Sequence, residues 1–505
     1  MRKYKKCSIL SLGVIILFIG CKQDEKYIQE KDERPNILIL MSDNQSWNHL
    51  GCYGDKTVST PSIDKLAKEG IIFTNAYCAA PSCSPARAAM LAGQDIWRLK
   101  EAANLWGSFP KVKVYSKLME ASGYTVGTEG KGWGPGNFDV SGWQHNPGGK
   151  KFDSFKEFYD STEKDRPWMY WFSSRNPHRP YNADSSRISK KAIANIEVPP
   201  YLPDNEDVRK DIADYYQEIE SFDKEVASFM EQAAKTGQLE NTIVIICSDN
   251  GWQMPRGLAN LYDFGTKIPL IISWPEHFKG NRTVTDFVNL NDLAPTLLEL
   301  AGLDIPEEMT AKSMVDLLFA NKSGRLDSDR NVVYTARERH AFVRQGGIGY
   351  PARAIRTDSY LYIRNYTPDR WPAGDPPLFG DLDAHMLHYP SPTKLFMLQH
   401  KEMNEIKPLF EIAFGKRPKE ELFDLDKDPY QLNNVANVDA YADIRAELSD
   451  QLSEYLKTTG DPRETGTAFN WDTPRYYMDR DKRPKPSKEA IKALGLQEEY
   501  NYLDE

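Results

Sequence analysis

Two short segments of this chain, Ile37-Leu38-Ile39-Leu40-Met41 and Ile243-Val244-Ile245-Ile246-Cys247, are apolar at every consecutive position. A strand with one wet face alternates polar and apolar residues, so an unbroken run belongs to a strand covered on both sides, as in a parallel sheet with helices above and below. Helical patterns of the right kind are present. Ile212, Tyr216, Ile219, Phe222, Val226, Phe229 and Ala233 recur at spacings of three and four, with Gly237 as the expected cap. Shorter helices are expected from Ile63 to Glu69 and from Asp292 to Ala301. The fold class that follows is α/β, a large central mixed, mostly parallel sheet flanked by helices and joined by right-handed crossovers. In such sheets ligands bind outside the carboxyl ends of the strands.

The texture changes near residue 330. "ARAIRTDSYLYIRNY" alternates like a hairpin with one wet face, "ELFDLDKDPYQLNNV" reads as strand, turn and cap, and a helix is expected from Ile444 to Leu456. These features predict a smaller antiparallel sheet plus helix. With 505 residues, 40% of them hydrophobic, the chain can support two packed units. Its formal net charge of −9 leaves no basic stripe for nucleic acid, so positive potential must be local, which favours a small anionic group held in a pocket.

At the amino end, a basic stretch precedes an apolar run from Ile9 to Ile19 that is too short for a comfortable membrane span. Phe18-Ile19-Gly20-Cys21 is similar to the lipobox of a bacterial lipoprotein signal, which implies cleavage before Cys21 and acylation of that residue. The expected organisation is a signal peptide over 1–20, a polar tether over 21–33, a catalytic α/β domain over 34–330, and a C-terminal α+β subdomain over 331–505 whose tail wraps the surface after Asp461. The implied location is the bacterial periplasm or outer membrane, surface exposure included, with the lipid as the only membrane contact. Cys52, Cys78, Cys83 and Cys247 remain for the mature body, and their spacing writes no disulfide framework.

Both apolar runs end in the same tripeptide, Ser42-Asp43-Asn44 and Ser248-Asp249-Asn250. Two carboxylates and two amide oxygens at adjacent strand ends make an oxygen-rich site for a hard cation, Ca²⁺ or Mg²⁺. A second feature is "CSPARAAMLAG" at 83–93. Pro85 suits a first helical turn and alanines follow, so Cys83 or Ser84 is expected at the cap, where backbone N–H groups face any anion presented to them. Arg87 lies one turn along the same face. Proline at plus two and arginine at plus four attend roughly one cysteine in 400 by composition, so the spacing carries information.

Cys83-Ser84-Pro85-Ala86-Arg87, with Leu91-Ala92-Gly93 behind it, resembles the signature of the type I sulfatases of the alkaline phosphatase superfamily. The likeness extends to "RPNILILMSDNQ", to "NPHRP" at 176–180, to "TIVIICSDNG" and to "LFDLDKDPYQLNN". It implies an alkaline phosphatase-like fold, Ca²⁺ (or Mg²⁺) as metal, a 3-oxoalanine (formylglycine) made from Cys83 by a formylglycine-generating maturation enzyme, and a sulfated sugar as substrate. By the same resemblance Asp43, Asn44, Asp249 and Asn250, with the group at Cys83, are the metal ligands. Arg87 braces the nucleophile and the sulfate, Lys131 binds the sulfate, and His178 protonates the leaving group after the hydrated formylglycine attacks sulfur. Four positions depart from the pattern: Ala92 stands where the threonine of a Thr-Gly pair is usual, Asn44 where a second aspartate is usual, Trp133 where Lys-x-His would place a histidine, and Leu258 where a basic residue is usual. Arg256 is expected to reach back and fill the last of these places.

Within the family, "GWQMPRGLANLYDFGTKIPLIISWPEH" and "VPPYLPDNEDVRKDIADYY" look most like the N-sulfoglucosamine sulfohydrolases, which implies action on heparan-derived or heparin-derived sugars. The alternatives are an O-sulfatase acting on another host or algal glycan, a phosphatase or phosphonate monoester hydrolase, and an inactive glycan-binding lipoprotein. Trp133, Arg339, His340 and Trp371 are expected to contact sugar, with Trp252, Arg353 and Tyr366 as further stacking and hydrogen-bonding residues.

Overall fold

Eight strands build the larger sheet of the computed structural model: β1 (Asn36–Ser42), β2 (Ile71–Tyr77), β3 (Thr125–Gly130), β4 (Lys150–Lys151), β5 (Trp168–Ser173), β6 (Thr242–Ser248), β7 (Leu270–Ser273) and β8 (Arg282–Asn289). Their spatial order is β4-β3-β5-β1-β6-β7-β2-β8. β7 runs antiparallel to β6 and β2, and the remaining pairs are parallel, so the sheet is mixed and mostly parallel as expected. The structure describes residues 32–496 apart from 183–189, 276, 383–386, 389, 390 and 468. The signal-like segment, Cys21 and most of the tether lie outside the described residues. Among those described, no helix is long and apolar enough to cross a membrane.

The two unalternating runs are neighbours at the centre of the sheet. β1 and β6 pair in parallel from Asn36 opposite Thr242 to Ser42 opposite Ser248, and every residue of both is buried. Alternate side chains supply two cores. Ile37, Ile39, Met41, Ile243 and Ile245 face one that contains Ala89, Met90 and Leu91 of helix α2 (Cys83–Ala92), whereas Leu38, Leu40, Val244 and Ile246 face the other, which contains Ile212, Ile219, Phe222 and Val226. Each fully buried aliphatic side chain contributes about 1.5–3 kcal/mol, which is why helices must cover both faces.

The long helix on the second face, Glu206–Lys235, starts earlier than its apolar pattern because Asn205 caps it, accepting from the Val208 N–H. Helix α1 (Pro61–Glu69) is tied to it through Asp223, whose carboxylate accepts from the N–H groups of Ser62 and Ile63.

The smaller sheet consists of β9 (Val332–Arg337), β10 (Ala352–Thr357), β11 (Tyr360–Asn365) and β12 (Glu420–Asp424), antiparallel throughout in the order β12-β11-β10-β9. Helix Ala442–Thr458 buries Leu448, Leu452 and Leu456 beside it. The described residues after Asp461 are mostly exposed or half-buried, with a few buried anchors. Asp461 and Trp471 are buried, and the Trp471 indole donates to the Lys100 carbonyl, so the tail is pinned to the larger domain there.

Candidate active site

The in-register pairing of β1 with β6 sets Asp43 and Asp249 side by side at the carboxyl edge of the sheet. Asn44 turns the chain there with a φ of 66°, a left-handed conformation that asparagine adopts more readily than most residues. Its N–H donates to Asp249 Oδ1 at 3.0 Å, which links the two strand ends.

Helix α2 presents Cys83 to this edge. Its N-cap is Ser82, one residue before the expected position, and Pro85 is the third helical residue, where the lost N–H is one of the orphan donors anyway. All ten residues of α2 are buried. The thiol lies between the two loops: Cys83 Sγ is 3.5 Å from Asp43 Oδ1, 3.6 Å from Asn44 Oδ1 and 3.7 Å from Asn250 Nδ2.

One turn on, Arg87 donates from Nε to Asp249 Oδ2 at 2.8 Å and from Nη1 to the Gly132 carbonyl at 2.8 Å and to Ser173 Oγ. Lys131 follows β3, flanked by Gly130 and Gly132 in left-handed conformations; at Gly130 a Cβ would fall 2.1 Å from the Ser173 carbonyl oxygen. That geometry delivers Lys131 Nζ to Asp43 Oδ2 at 2.8 Å. The loop is clasped onto α2 by Ser84 Oγ donating to the Pro135 carbonyl and by Trp133 Nε1 donating to the Ser84 carbonyl at 3.1 Å. Asn146 holds it from the other side, accepting from the Trp133 N–H and donating to its carbonyl.

The electrostatics follow from two carboxylates and two cations in one buried space. Burial alone would raise the Asp43 carboxyl, but Lys131, His178 and Arg87 together hold it well below the usual carboxylate range. Asp249 is pushed up by burial and by the Asp43 charge, and the Cys83 thiol is pushed up by burial and by Asp43. His178 Nδ1 is hydrogen-bonded to the Arg179 carbonyl, and burial lowers the imidazole's pKa against the opposing pull of Asp43.

Asp43, Cys83 and Asp249 can place ligand atoms within 4.8 Å of one another, and Asn250 Oδ1 is buried without a donor. Carboxylate and amide oxygens are the donor set of Ca²⁺ or Mg²⁺, so these residues fit such an ion. Arg87 Nη2 and Asn44 Nδ2 are also buried without hydrogen-bond partners.

The remaining expected residues lie elsewhere or do something else. Arg256 has a φ of 67° that turns its side chain to the smaller domain, where Nη1 donates to the Ile412 carbonyl at 2.7 Å and Nη2 to the Gln431 carbonyl. It does not fill the place of Leu258, which is itself buried and apolar. The Trp133 indole is buried against Phe109 and supports α2, so no sugar can stack on it. Arg339 is spent on the carbonyls of Gly347 and Pro474, and Trp371 packs against Phe379. Trp252 is buried among His49, Tyr215 and Phe264, Arg353 is locked in ion pairs, and the Tyr366 hydroxyl donates to Glu464. Of the expected sugar contacts, His340 touches the residue before Cys83: its Nδ1 is 2.8 Å from Oγ of Ser82. Ser173, Asn146 and Ser82 were not anticipated. The run "WMYWFSS" carried a signal for the first, being a third apolar strand that ends in a polar pair.

A mixed sheet with oxygen-rich residues that fit a cation at the carboxyl ends of its central strands, and a helix that brings a cysteine and an arginine to them, places the chain in the alkaline phosphatase-like fold class. The sulfatase family model matches residues 35–303, and a model of the C-terminal part of N-sulphoglucosamine sulphohydrolase matches residues 256–375. The chain belongs to the sulfatase family and is a hydrolase of sulfuric esters. It is 28% identical to an ulvan-active sulfatase of Formosa agariphila over 486 residues, covering 90% of this chain and 89% of that protein. It is 26% identical to the N-sulphoglucosamine sulphohydrolase of Homo sapiens over 476 residues, covering 85% and 91%. A solved structure in complex with its substrate D-glucosamine-2-N,6-O-disulfate shares the fold with a TM-score of 0.60 at 19% identity, over 86% of this chain and 100% of that one.

Proposed function

We propose that this protein removes the N-linked sulfate from N-sulfoglucosamine units of heparan or heparin, with a formylglycine made from Cys83 and a Ca²⁺ ion held by Asp43, Asn44, Asp249 and Asn250. The observation that carries the substrate is the match to the C-terminal part of N-sulphoglucosamine sulphohydrolase, which runs from the Arg256 loop through β9, β10 and β11. When bound, the ion would supply positive charge to the nucleophile and the transferring sulfuryl group, and formylglycine, once hydrated, a hydroxyl in place of the thiol.

The chain's own residues do the rest. Lys131, whose side chain keeps 23% of its surface exposed, is the first cation an entering sulfate meets, and Arg87 Nη2 is a second donor already desolvated and aimed by the Asp249 pair. With Leu258 in the place of a basic residue, these two are the basic side chains left to share the sulfate charge with the ion. His178 commits Nδ1 to the Arg179 carbonyl, which leaves Nε2 to hand a proton to the departing nitrogen. A bound sulfate offsets the burial that lowers this imidazole.

The leader-like segment supports attachment to a bacterial envelope through an acylated Cys21, in the periplasm or at the outer membrane. The same reading requires a formylglycine-generating enzyme as partner. A second reading, O-desulfation of an algal glycan, is favoured by the likeness to ulvan-active sulfatases over nine-tenths of the chain. A zinc phosphatase is disfavoured because the metal-competent group contains no histidine.

The test is sulfate release from N-sulfoglucosamine, from its 2-O, 3-O and 6-O sulfated counterparts and from ulvan oligosaccharides, with conversion at position 83 checked by mass. Release from the N-sulfated sugar, lost on chelation and regained with Ca²⁺, is expected. Release from one O-sulfated substrate alone replaces this reading with the second, and silence on all of them with position 83 converted points to a longer glycan or to a binding protein.

A further inference from the structure

A cavity of about 440 Å³ opens where the two sheets meet, lined by Asp95, Asn291 and Asp292 of the larger domain and by Tyr334 and Tyr455 of the smaller one. It is remote from the catalytic cluster. Gly93 ends α2 in a left-handed turn and Asp95 follows it, so the cavity lies beyond a ten-residue helix from Cys83, about 15 Å along its axis.

Its walls have a definite chemistry. Asp95 is 3% exposed, and its carboxylate is hydrogen-bonded by the Thr310 side chain and accepts from the Tyr455 hydroxyl at 3.0 and 3.3 Å, yet among the described residues it forms no ion pair. The nearby Arg98 gives its guanidinium to Gln94 Oε1 and the Thr459 carbonyl. Asp292, by contrast, is complete, accepting from Arg330 Nη1 at 2.9 Å and from the N–H groups of Lys312 and Asn289. Arg330 spends its other donors on the carbonyls of Lys312 and Ser313. Asn291 is 4% exposed, and its Oδ1 meets no donor. Tyr334 and Tyr455 stack with ring centroids 3.5 Å apart and planes within 5°, which makes one wall flat and aromatic.

Buried carboxylates in proteins are paired, and buried amide oxygens accept hydrogen bonds. This cavity offers a hydrogen-bonded carboxylate without an ion pair, an amide oxygen without a donor, an aromatic wall, and no uncommitted buried cation, since Lys312 is exposed at the rim. Its volume is that of a small-ligand site. We propose that it is a second carbohydrate site, one that takes an unsulfated amino sugar with its ammonium on Asp95, a hydroxyl on Asn291 Oδ1 and the ring beside Tyr334 and Tyr455. A sulfate placed there would face the carboxylates of Asp95 and Asp292 with no free guanidinium to receive it. The site is independent of which sulfate the catalytic centre removes.

The test is titration of glucosamine, glucose and N-sulfoglucosamine, by ligand-observed NMR, into full-length protein carrying Cys83→Ala and Lys131→Ala, which disables the catalytic centre. Glucosamine is expected to bind, and glucose about tenfold more weakly because it lacks the ammonium. Asp95→Asn is expected to weaken glucosamine by a similar factor. Gln451 is exposed at the rim, where its side chain hydrogen-bonds Tyr334, so Gln451→Trp, which obstructs the mouth and frees that hydroxyl, is expected to abolish binding. The proposal is overturned if glucosamine fails to bind the double variant, if its affinity survives both Asp95→Asn and Gln451→Trp, or if N-sulfoglucosamine binds as tightly.

Discussion

Two clusters of buried charge invite comparison, the one at the end of the large sheet and the one that locks the smaller domain. In the second, Arg353 donates from Nε to Asp461 at 2.6 Å, from Nη2 to Glu338 at 2.8 Å and from Nη1 to the carbonyls of Arg337 and Ala352, and Arg463 completes Glu338 at 2.6 Å. No donor of Arg353 is left over. In the first, Arg87 pairs with Asp249 and Lys131 with Asp43 at 2.8 Å, but Arg87 Nη2, Asn44 Nδ2 and Asn250 Oδ1 stay buried without hydrogen-bond partners. Leaving such groups unsatisfied costs about 1–3 kcal/mol each. The same residue types therefore serve two ends: a closed network fixes a domain, and an open one marks where a ligand completes the set.

The sharpest test of this contrast is Cys83→Ala. Turnover is expected to fall by about four orders of magnitude or more, with an unchanged melting temperature, because the nucleophile is removed and no ion pair is touched. Retained sulfate release would break the assignment of the open cluster. Asp461→Ala should do the reverse. It strips one carboxylate from a buried guanidinium, so a loss of about 3–5 kcal/mol in stability is expected, with turnover per folded molecule unchanged. Chemical denaturation beside active-site titration separates the two quantities.

Asp95 is a third case, a buried carboxylate without an ion pair, raised from 3.8 to about 6 by burial. A raised folded-state pKa means that stability is fully present below the unfolded value and is lost as the pH rises through about 6. Asp95→Asn should therefore leave stability little changed at low pH and increase it above about pH 7, by up to about 3 kcal/mol for a shift of roughly two units. Melting curves from about pH 5 to pH 8 check the sign, and a gain that shrinks with rising pH would show that Asp95 is already paired.

Much of the catalytic end was legible in the sequence because its chemistry is local. A strand that must be buried on both faces, followed at once by Asp-Asn, announces itself twice, and Cys83 and Arg87 are one helical turn apart. What was not legible is assembled at a distance or decided by backbone conformation. The adjacency of β1 and β6 joins residues some two hundred positions apart, and Ser173 enters only because β5 lies beside β1. The Arg256 expectation failed because the residue's left-handed φ sends the side chain to the Ile412 carbonyl, which no spacing rule encodes. The Arg353 network joins strand β10 to a residue 108 positions later, at the point where the tail begins, a pairing that no local pattern encodes.

Trp133 gives the smallest expected effect and the finest distinction. It occupies a place where the family commonly has a histidine, and its exposure of 2% together with the bond from Nε1 to the Ser84 carbonyl makes it a strut between the Lys131 loop and the first turn of α2. Trp133→Phe keeps an aromatic ring against Phe109 and loses that one bond, so a cost of about 1 kcal/mol in stability is expected. Lys131 remains held by its glycine-flanked turn and by Arg87 on the Gly132 carbonyl, so kcat should fall by no more than about fivefold with KM unchanged. A sugar-stacking tryptophan would behave differently, because losing its contact weakens substrate binding and raises KM about tenfold or more while stability stays put. The split between KM and stability in this one variant therefore decides whether the departure at position 133 reshaped the substrate pocket or only the scaffold behind the nucleophile.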